Sequence, residues 1–179
     1  RKWIIKLDAD MIVRKPLSVH QGLHAREGVV AAGYYGYLVG VDNEMATMFV
    51  PSDVKPILAK VGGWEVFYAD DLRKAAPLWF EYTKKVRQDP RAHYPFKGSG
   101  DAFITKENPK PWISEMYGYV FGTAMAGLRH NVKHGTQLYA GMPPWDEESF
   151  DPFLIHYGLR IDIEDWNWDK HFEFTSEQK

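Results

Sequence analysis

Two aspartates one residue apart, Asp8 and Asp10, close an apolar run at Trp3 to Leu7. Ligands of open α/β sheets sit beyond the carboxyl ends of strands. Where the chain turns there, both carboxylates come near one point. Hard divalent cations take such oxygens, binding through one or two carboxylates plus substrate phosphates. An exposed acidic pair at a strand end has the same residues and no ion, and short Asp-x-Asp matches are common. A second signal has the same placement: Ile155-His156-Tyr157-Gly158 ends another apolar run. A histidine there, beside a glycine that allows close approach, could complete a metal site; a satisfied structural histidine is the alternative.

A third signal is Trp112-Ile113-Ser114-Glu115-Met116-Tyr117-Gly118. Glu115 falls in the first turn of an expected helix, where its charge complements the helix dipole. Beside a loop tryptophan it could equally hold sugar hydroxyls or take a proton from an acceptor. A fourth is Lys60-Val61-Gly62-Gly63, whose paired glycines permit backbone approach to a ligand or make an ordinary tight turn. His20/His24 and His130/His134 have the i, i+4 spacing of helical metal ligands, but Gln21 and Asn131 stand where a zinc protease has its glutamate. Both pairs read as solvated surface.

These residues need a frame. Trp3 to Leu7 is apolar nearly throughout, as a strand buried on both faces should be. Residues 29–41 supply a further strand, residues 51–60 a short helix, and residues 64–68 another strand after the Gly62-Gly63 interruption. Asp70 is expected to cap a helix running to Gln88, in which Leu72, Ala75, Trp79, Tyr82 and Val86 form one face. Pro77 should kink it, because it cannot donate to the Arg73 carbonyl. After a long loop over residues 91–111, Ser114 should cap a second helix reaching about Leu128. Short strands follow near 131–132 and 137–139, and residues 153–157 make a last buried strand. Strands alternating with helices predict an α/β fold, here as one domain over residues 1–179.

Composition narrows the chemistry. The chain has 179 residues, 45% of them hydrophobic, which is enough for a core. Its 22 basic and 24 acidic residues give a net charge of −2, so no basic field exists to hold nucleic acid. Cysteine is absent, which removes disulfides, thiol catalysis, zinc fingers and iron–sulfur sites together. The uncharged runs 28–41 and 116–128 fall short of the roughly 20 apolar residues a spanning helix needs. Buried core is expected of both, and no membrane segment. Aromatic content is high at 15%, and several tryptophans adjoin glycine or proline: Trp64, Trp112 and Trp145. As a group they favour a carbohydrate or nucleotide ligand over none. A strand that begins two residues after Arg1 reads as part of a longer protein.

Taken in order, LDADMIVRKP, YLVGVDNE, KVGG, DDLRKAAPLWFEYTKKVR, WISEMYGYVFG and HYGL followed by NW resemble the plant and green-algal peptidyl serine α-galactosyltransferases, relatives of the hydroxyproline O-arabinosyltransferases. The resemblance runs from Trp3 to about Lys170. It implies a GT-A type glycosyltransferase: a mixed sheet flanked by helices, apparently without the amino-terminal nucleotide-binding strands. Asp8 and Asp10 then match the Asp-x-Asp motif that holds Mn²⁺ and the donor diphosphate, and His156 matches a further metal ligand. Gly62, Gly63 and Trp112 would lie against the donor, while Glu115 and Asp71 are the implied catalytic acids. The residues 142–151 are outside the matched pattern.

The activity so implied is metal-dependent, retaining transfer of galactose from UDP-galactose to serine hydroxyls of hydroxyproline-rich glycoproteins. It implies a secretory-pathway protein of the endoplasmic reticulum or Golgi, membrane-anchored at full length. Arabinose transfer to hydroxyproline is the alternative on the same scaffold. A catalytically silent structural or glycan-binding fragment is another; against it, a binding module needs no Asp8, Asp10 and His156 set.

Overall fold

The computed structural model describes residues 2–93, 98–100, 104–139 and 150–169. Among these residues the chain forms nine strands: β1 (Trp3–Leu7), β2 (Met11–Val13), β3 (Val29–Tyr34), β4 (Val61–Tyr68), β5 (Arg129–Lys133), β6 (Gln137–Tyr139), β7 (Leu154–His156), β8 (Ile161–Ile163) and β9 (Trp166–Trp168). Three α-helices accompany them: α1 (Glu44–Phe49), α2 (Ala69–Gln88) and α3 (Ser114–Met125). The fold is mixed α/β, as the alternating pattern predicts. It divides into two compact units, residues 1–7 with 18–133 and residues 8–17 with 134–179.

The first unit holds a four-stranded mixed sheet in the order β1-β4-β3-β5. The β1/β4 and β4/β3 pairs are antiparallel, and β3/β5 is parallel. β4 is apolar on both faces and buried along almost its whole length, so it takes a central place. β1 does not. It is the edge strand, with Ile4 and Ile5 38% and 44% exposed, where burial on both faces was expected. Gly62 and Gly63 lie inside β4 and do not precede it. The register jumps from Ala32↔Glu65 to Gly33↔Gly62, so Gly63 and Trp64 form a bulge. Gly63 takes φ +75°, a left-handed backbone that suits glycine at such a bulge.

Helices α2 and α3 pack on each other and against β4. Phe67 of β4 meets Tyr119 of α3 edge-on at 6.1 Å, and Phe49 of α1 stacks on Phe121 at 5.6 Å. Burying each such ring contributes about 1.5–3 kcal/mol. The helices approach closely because Gly118 and Gly122 present no side chain to α2. A Cβ at Gly122 would fall 2.6 Å from the Trp79 backbone nitrogen. The expected apolar face of α2 is real at Ala75, Tyr82 and Val86, all buried, and the helix runs through Pro77 without a break.

Four local expectations are corrected. The short helix is Glu44–Phe49, capped by the Asn43 side chain accepting from Met45 N–H at 2.9 Å; residues 51–60 hold only a 3-10 turn at Lys55–Ile57. Asp70 is not the cap of α2, whose capping position is Tyr68, and Ser114 is not the cap of α3, whose capping position is Ile113. The Ser114 hydroxyl donates backwards to the Pro111 carbonyl, and Asp70 pairs with Arg73. Of the 29–41 run, only Val29–Tyr34 is strand. Among the described residues no helix is long and apolar enough to cross a membrane.

The second unit contains a three-stranded sheet in the order β2-β7-β6, antiparallel at β2/β7 and parallel at β6/β7, and the β8–β9 hairpin. Trp168 of the hairpin meets Tyr157 edge-on at 5.8 Å. The segment with Trp145 and most of residues 142–151 lies outside the described residues.

Candidate metal centre

The second unit assembles Asp8, Asp10 and His156 through backbone register. Asp8-Ala9-Asp10 makes a turn closed by Met11 N–H donating to the Asp8 carbonyl at 3.2 Å. β2 then runs antiparallel to β7 with Met11 opposite His156. Tyr157 N–H donates to the Asp10 carbonyl at 2.9 Å, fixing the turn against the end of β7. Beyond β2, the Arg14 and Lys15 N–H groups both donate to the Phe153 carbonyl, and both side chains pair with Asp151. The pairing of β2 with β7 is therefore held at both ends.

The consequence is convergence. His156 Nε2 stands 3.2 Å from Asp10 Oδ1, and one donor atom from each of Asp8, Asp10 and His156 lies within 4.8 Å of the others. His156 is buried, 7% exposed, while both aspartates are half-buried. Ligands at about 2.0–2.6 Å from one ion are separated by roughly 3 Å when adjacent and 4–5 Å when opposite. The observed separations fit that range. Two carboxylates and one imidazole are the donor set of a hard or borderline divalent cation such as Mn²⁺ or Mg²⁺, not of a thiophilic metal.

The other sequence-predicted residues belong to the first unit. Gly63 belongs to the β4 bulge and Gly62 pairs with Gly33 beside it; both are buried, with the Tyr35 ring against Gly62. Trp112 is 46% exposed just before α3. Glu115 is exposed in the first turn of α3, and its backbone carbonyl accepts from Trp79 Nε1 at 2.8 Å. Tyr37 reaches the same turn, its hydroxyl 3.1 Å from Met116 Sδ. Asp71 is only 2% exposed, and its Oδ2 accepts the Gly28 N–H at 2.7 Å, tying α2 to the turn before β3.

Two features escaped the sequence. Glu65, 1% exposed in the middle of β4, pairs with Lys6 directly across the strand, Nζ to Oε2 3.4 Å. A lone acid inside an apolar strand was the available signal. On α3, Tyr119 shares a hydrogen bond with His130 Nε2 at 2.8 Å. Burial, with the nearby Glu65 charge, holds the Tyr119 hydroxyl well above its ordinary range. Burial alone pushes the His130 imidazole down to about 4. His130 is thus half-buried with its ring nitrogens turned inward, and not the solvated surface expected of it. His134 is exposed, as expected.

Comparison with known proteins follows the same lines as the motifs. The chain is 42% identical over 168 residues to a protein of Arabidopsis thaliana named peptidyl serine alpha-galactosyltransferase, covering 94% of this chain and 20% of that protein. It is 34% identical over 185 residues to a Chlamydomonas reinhardtii protein of the same name, covering 96% and 24%. A Medicago truncatula hydroxyproline O-arabinosyltransferase is 27% identical over 184 residues, covering 94% of this chain and 45% of that protein. The chain thus spans about a fifth to a quarter of the galactosyltransferases it matches. No protein-family model matches it, and no solved structure matches it. The resemblance read from the motifs is borne out in these relatives.

Proposed function

We propose that the chain is the metal-bearing part of a glycosyltransferase that moves galactose from UDP-galactose to a peptidyl serine hydroxyl, with retention of configuration. The observation that carries this reading is the Asp8, Asp10 and His156 cluster, on a chain 42% and 34% identical to proteins named for that transfer. Asp8, Asp10 and His156 would hold Mn²⁺. Bound there, the ion would supply Lewis-acid stabilisation of charge on the departing UDP diphosphate.

The chain's own residues then have definable tasks. The Tyr157 N–H to Asp10 bond and the paired ends of β2 and β7 keep the two carboxylates turned towards the imidazole. Gly62 and Gly63 are buried in β4 with the Tyr35 ring against Gly62, so any support they give a donor sugar is indirect, through the bulged shape of that strand. Trp112 offers an exposed ring on which the apolar face of a sugar can stack. Glu115, exposed at the start of α3, would orient the acceptor hydroxyl and take its proton. Asp71 is engaged with Gly28, so its support is indirect, through the position of α2. Front-face transfer asks little covalent work of the protein, so positioning and charge stabilisation supply the rate. The setting that matches such an acceptor is the secretory pathway.

Arabinose transfer to hydroxyproline is the second reading, favoured by the relatives named for it at 26–27% identity. One experiment separates the two. The full-length protein is incubated with Mn²⁺, a serine- and hydroxyproline-containing peptide, and labelled UDP-galactose or UDP-arabinose. Galactose on serine supports the first reading. Arabinose on hydroxyproline replaces it with the second, and no transfer from either donor rejects both.

A further inference from the structure

His156 sits on the central strand of its sheet, so its imidazole has neighbours on both sides. Along the sheet, β6 runs parallel to β7 with Tyr139 directly opposite His156. Residues paired across adjacent strands share a face, and the two rings do meet, centroids 4.7 Å apart and planes tilted by 40°. Along the chain, Gly158 lies two residues on. A Cβ there would stand 2.9 Å from His156 Nε2, 3.2 Å from Cε1 and 3.3 Å from Cδ2, closer than carbon and nitrogen normally pack. Only a glycine leaves the imidazole where it is.

The ring needs such help. A histidine's second side-chain torsion is broad, with no sharp staggered wells, so backbone placement alone leaves the direction of Nε2 open. A metal site tolerates displacements of about 0.2 Å in ligand distance. We propose that Tyr139 and Gly158 are positioning residues that bracket the His156 imidazole and aim Nε2 at the ion shared with Asp10. The tyrosine ring limits rotation on one side, and the bare Gly158 Cα accepts the ring edge on the other. This rests on the metal reading of the Asp8, Asp10 and His156 site.

The test measures Mn²⁺ affinity alone, by electron paramagnetic resonance of the free ion, on the full chain and its variants. Melting in chelator checks that each variant folds. Tyr139→Phe keeps the ring and should bind within about threefold of wild type. Tyr139→Leu and Gly158→Ala should each weaken binding roughly 10–100-fold, the usual cost of losing a ligand's support. Their melting temperatures in chelator should change little. Hyperfine coupling of bound Mn²⁺ to a directly bonded imidazole nitrogen, read by electron spin-echo envelope modulation, is a readout that a purely structural role would not move. It should be present in wild type and Tyr139→Phe and lost in Gly158→Ala, where the carboxylates alone retain the ion. If both weakening variants bind Mn²⁺ as wild type does while Asp10→Asn does not, the bracket is wrong and the metal site stands. If wild type binds no Mn²⁺, the metal site falls and the bracket with it.

Discussion

Acid should destabilise the protein through His130, a residue the proposed reaction does not use. Its imidazole lies on β5 against Tyr119, Nε2 in a 2.8 Å hydrogen bond and Nδ1 buried without a partner. Burial lowers it from 6.5 to about 4 in the folded chain. A lowered histidine is neutral in the fold and protonated first in the unfolded chain. Its contribution to stability is therefore complete above pH 6.5 and is lost as the pH falls towards 4. The gap of about 2.5 pH units, at about 1.4 kcal/mol each, sets a limit of about 3 kcal/mol, most of it reached by pH 4.5. Urea unfolding of wild type and His130→Gln at pH 7 and pH 4.5 measures it. Glutamine keeps a hydrogen-bonding side chain and does not titrate. Carboxylates such as Asp89, lowered by its hydrogen bond to Arg91, weaken in acid too, but equally in both proteins. The variant should lose about 2 kcal/mol less than wild type between the two pH values. Equal losses would refute a buried, neutral His130.

Other outcomes are as definite. Gly122→Leu drives side-chain atoms into the α2 backbone at Trp79, which has no way to yield, and should lower stability by at least about 1–3 kcal/mol in denaturant unfolding. Lys6→Met strips Glu65 of its cross-strand cation. The cost should be about 2 kcal/mol, below the 3–5 of a wholly buried pair because the lysine is 32% exposed, and adding Glu65→Gln should recover most of it. Glu115→Gln in the full-length enzyme should keep its melting temperature and lower kcat by roughly 10²–10⁴-fold if the carboxylate takes the acceptor proton. If it serves only the helix dipole, turnover survives and stability drops by no more than about 1 kcal/mol.

How much of this was legible depends on the range of the force involved. Trp3–Leu7 and Ala69–Gln88 follow from local pattern, an apolar run and a 3.6-residue stripe, and both elements occur with nearly those bounds. That Leu7 should lead into a turn carrying Asp8 and Asp10 was readable too. The edge position of β1 was not, since it depends on which strands pair across 60 residues of chain. The caps failed for a more local reason. Asp70 and Ser114 are good capping residues, but the chain enters each helix earlier and their oxygens bond Arg73 and Pro111. The short helix, expected at residues 51–60 and found at Glu44–Phe49, is capped by Asn43. In the candidate metal centre, the convergence of Asp8, Asp10 and His156 was legible from residue type and strand ends. Tyr139 was not, because only the parallel register of β6 and β7 brings it to His156.

The central claim is that Asp8, Asp10 and His156 hold a divalent ion that in turn holds a sugar-nucleotide diphosphate. Calorimetric titration of the protein with UDP, in Mn²⁺ and in chelator, tests it most directly, with Asp10→Asn run alongside. Binding heat should appear only with Mn²⁺ or Mg²⁺ and vanish in Asp10→Asn, because the carboxylates contact the nucleotide through the ion. UDP binding of equal strength in chelator, or undiminished in Asp10→Asn, would contradict the account.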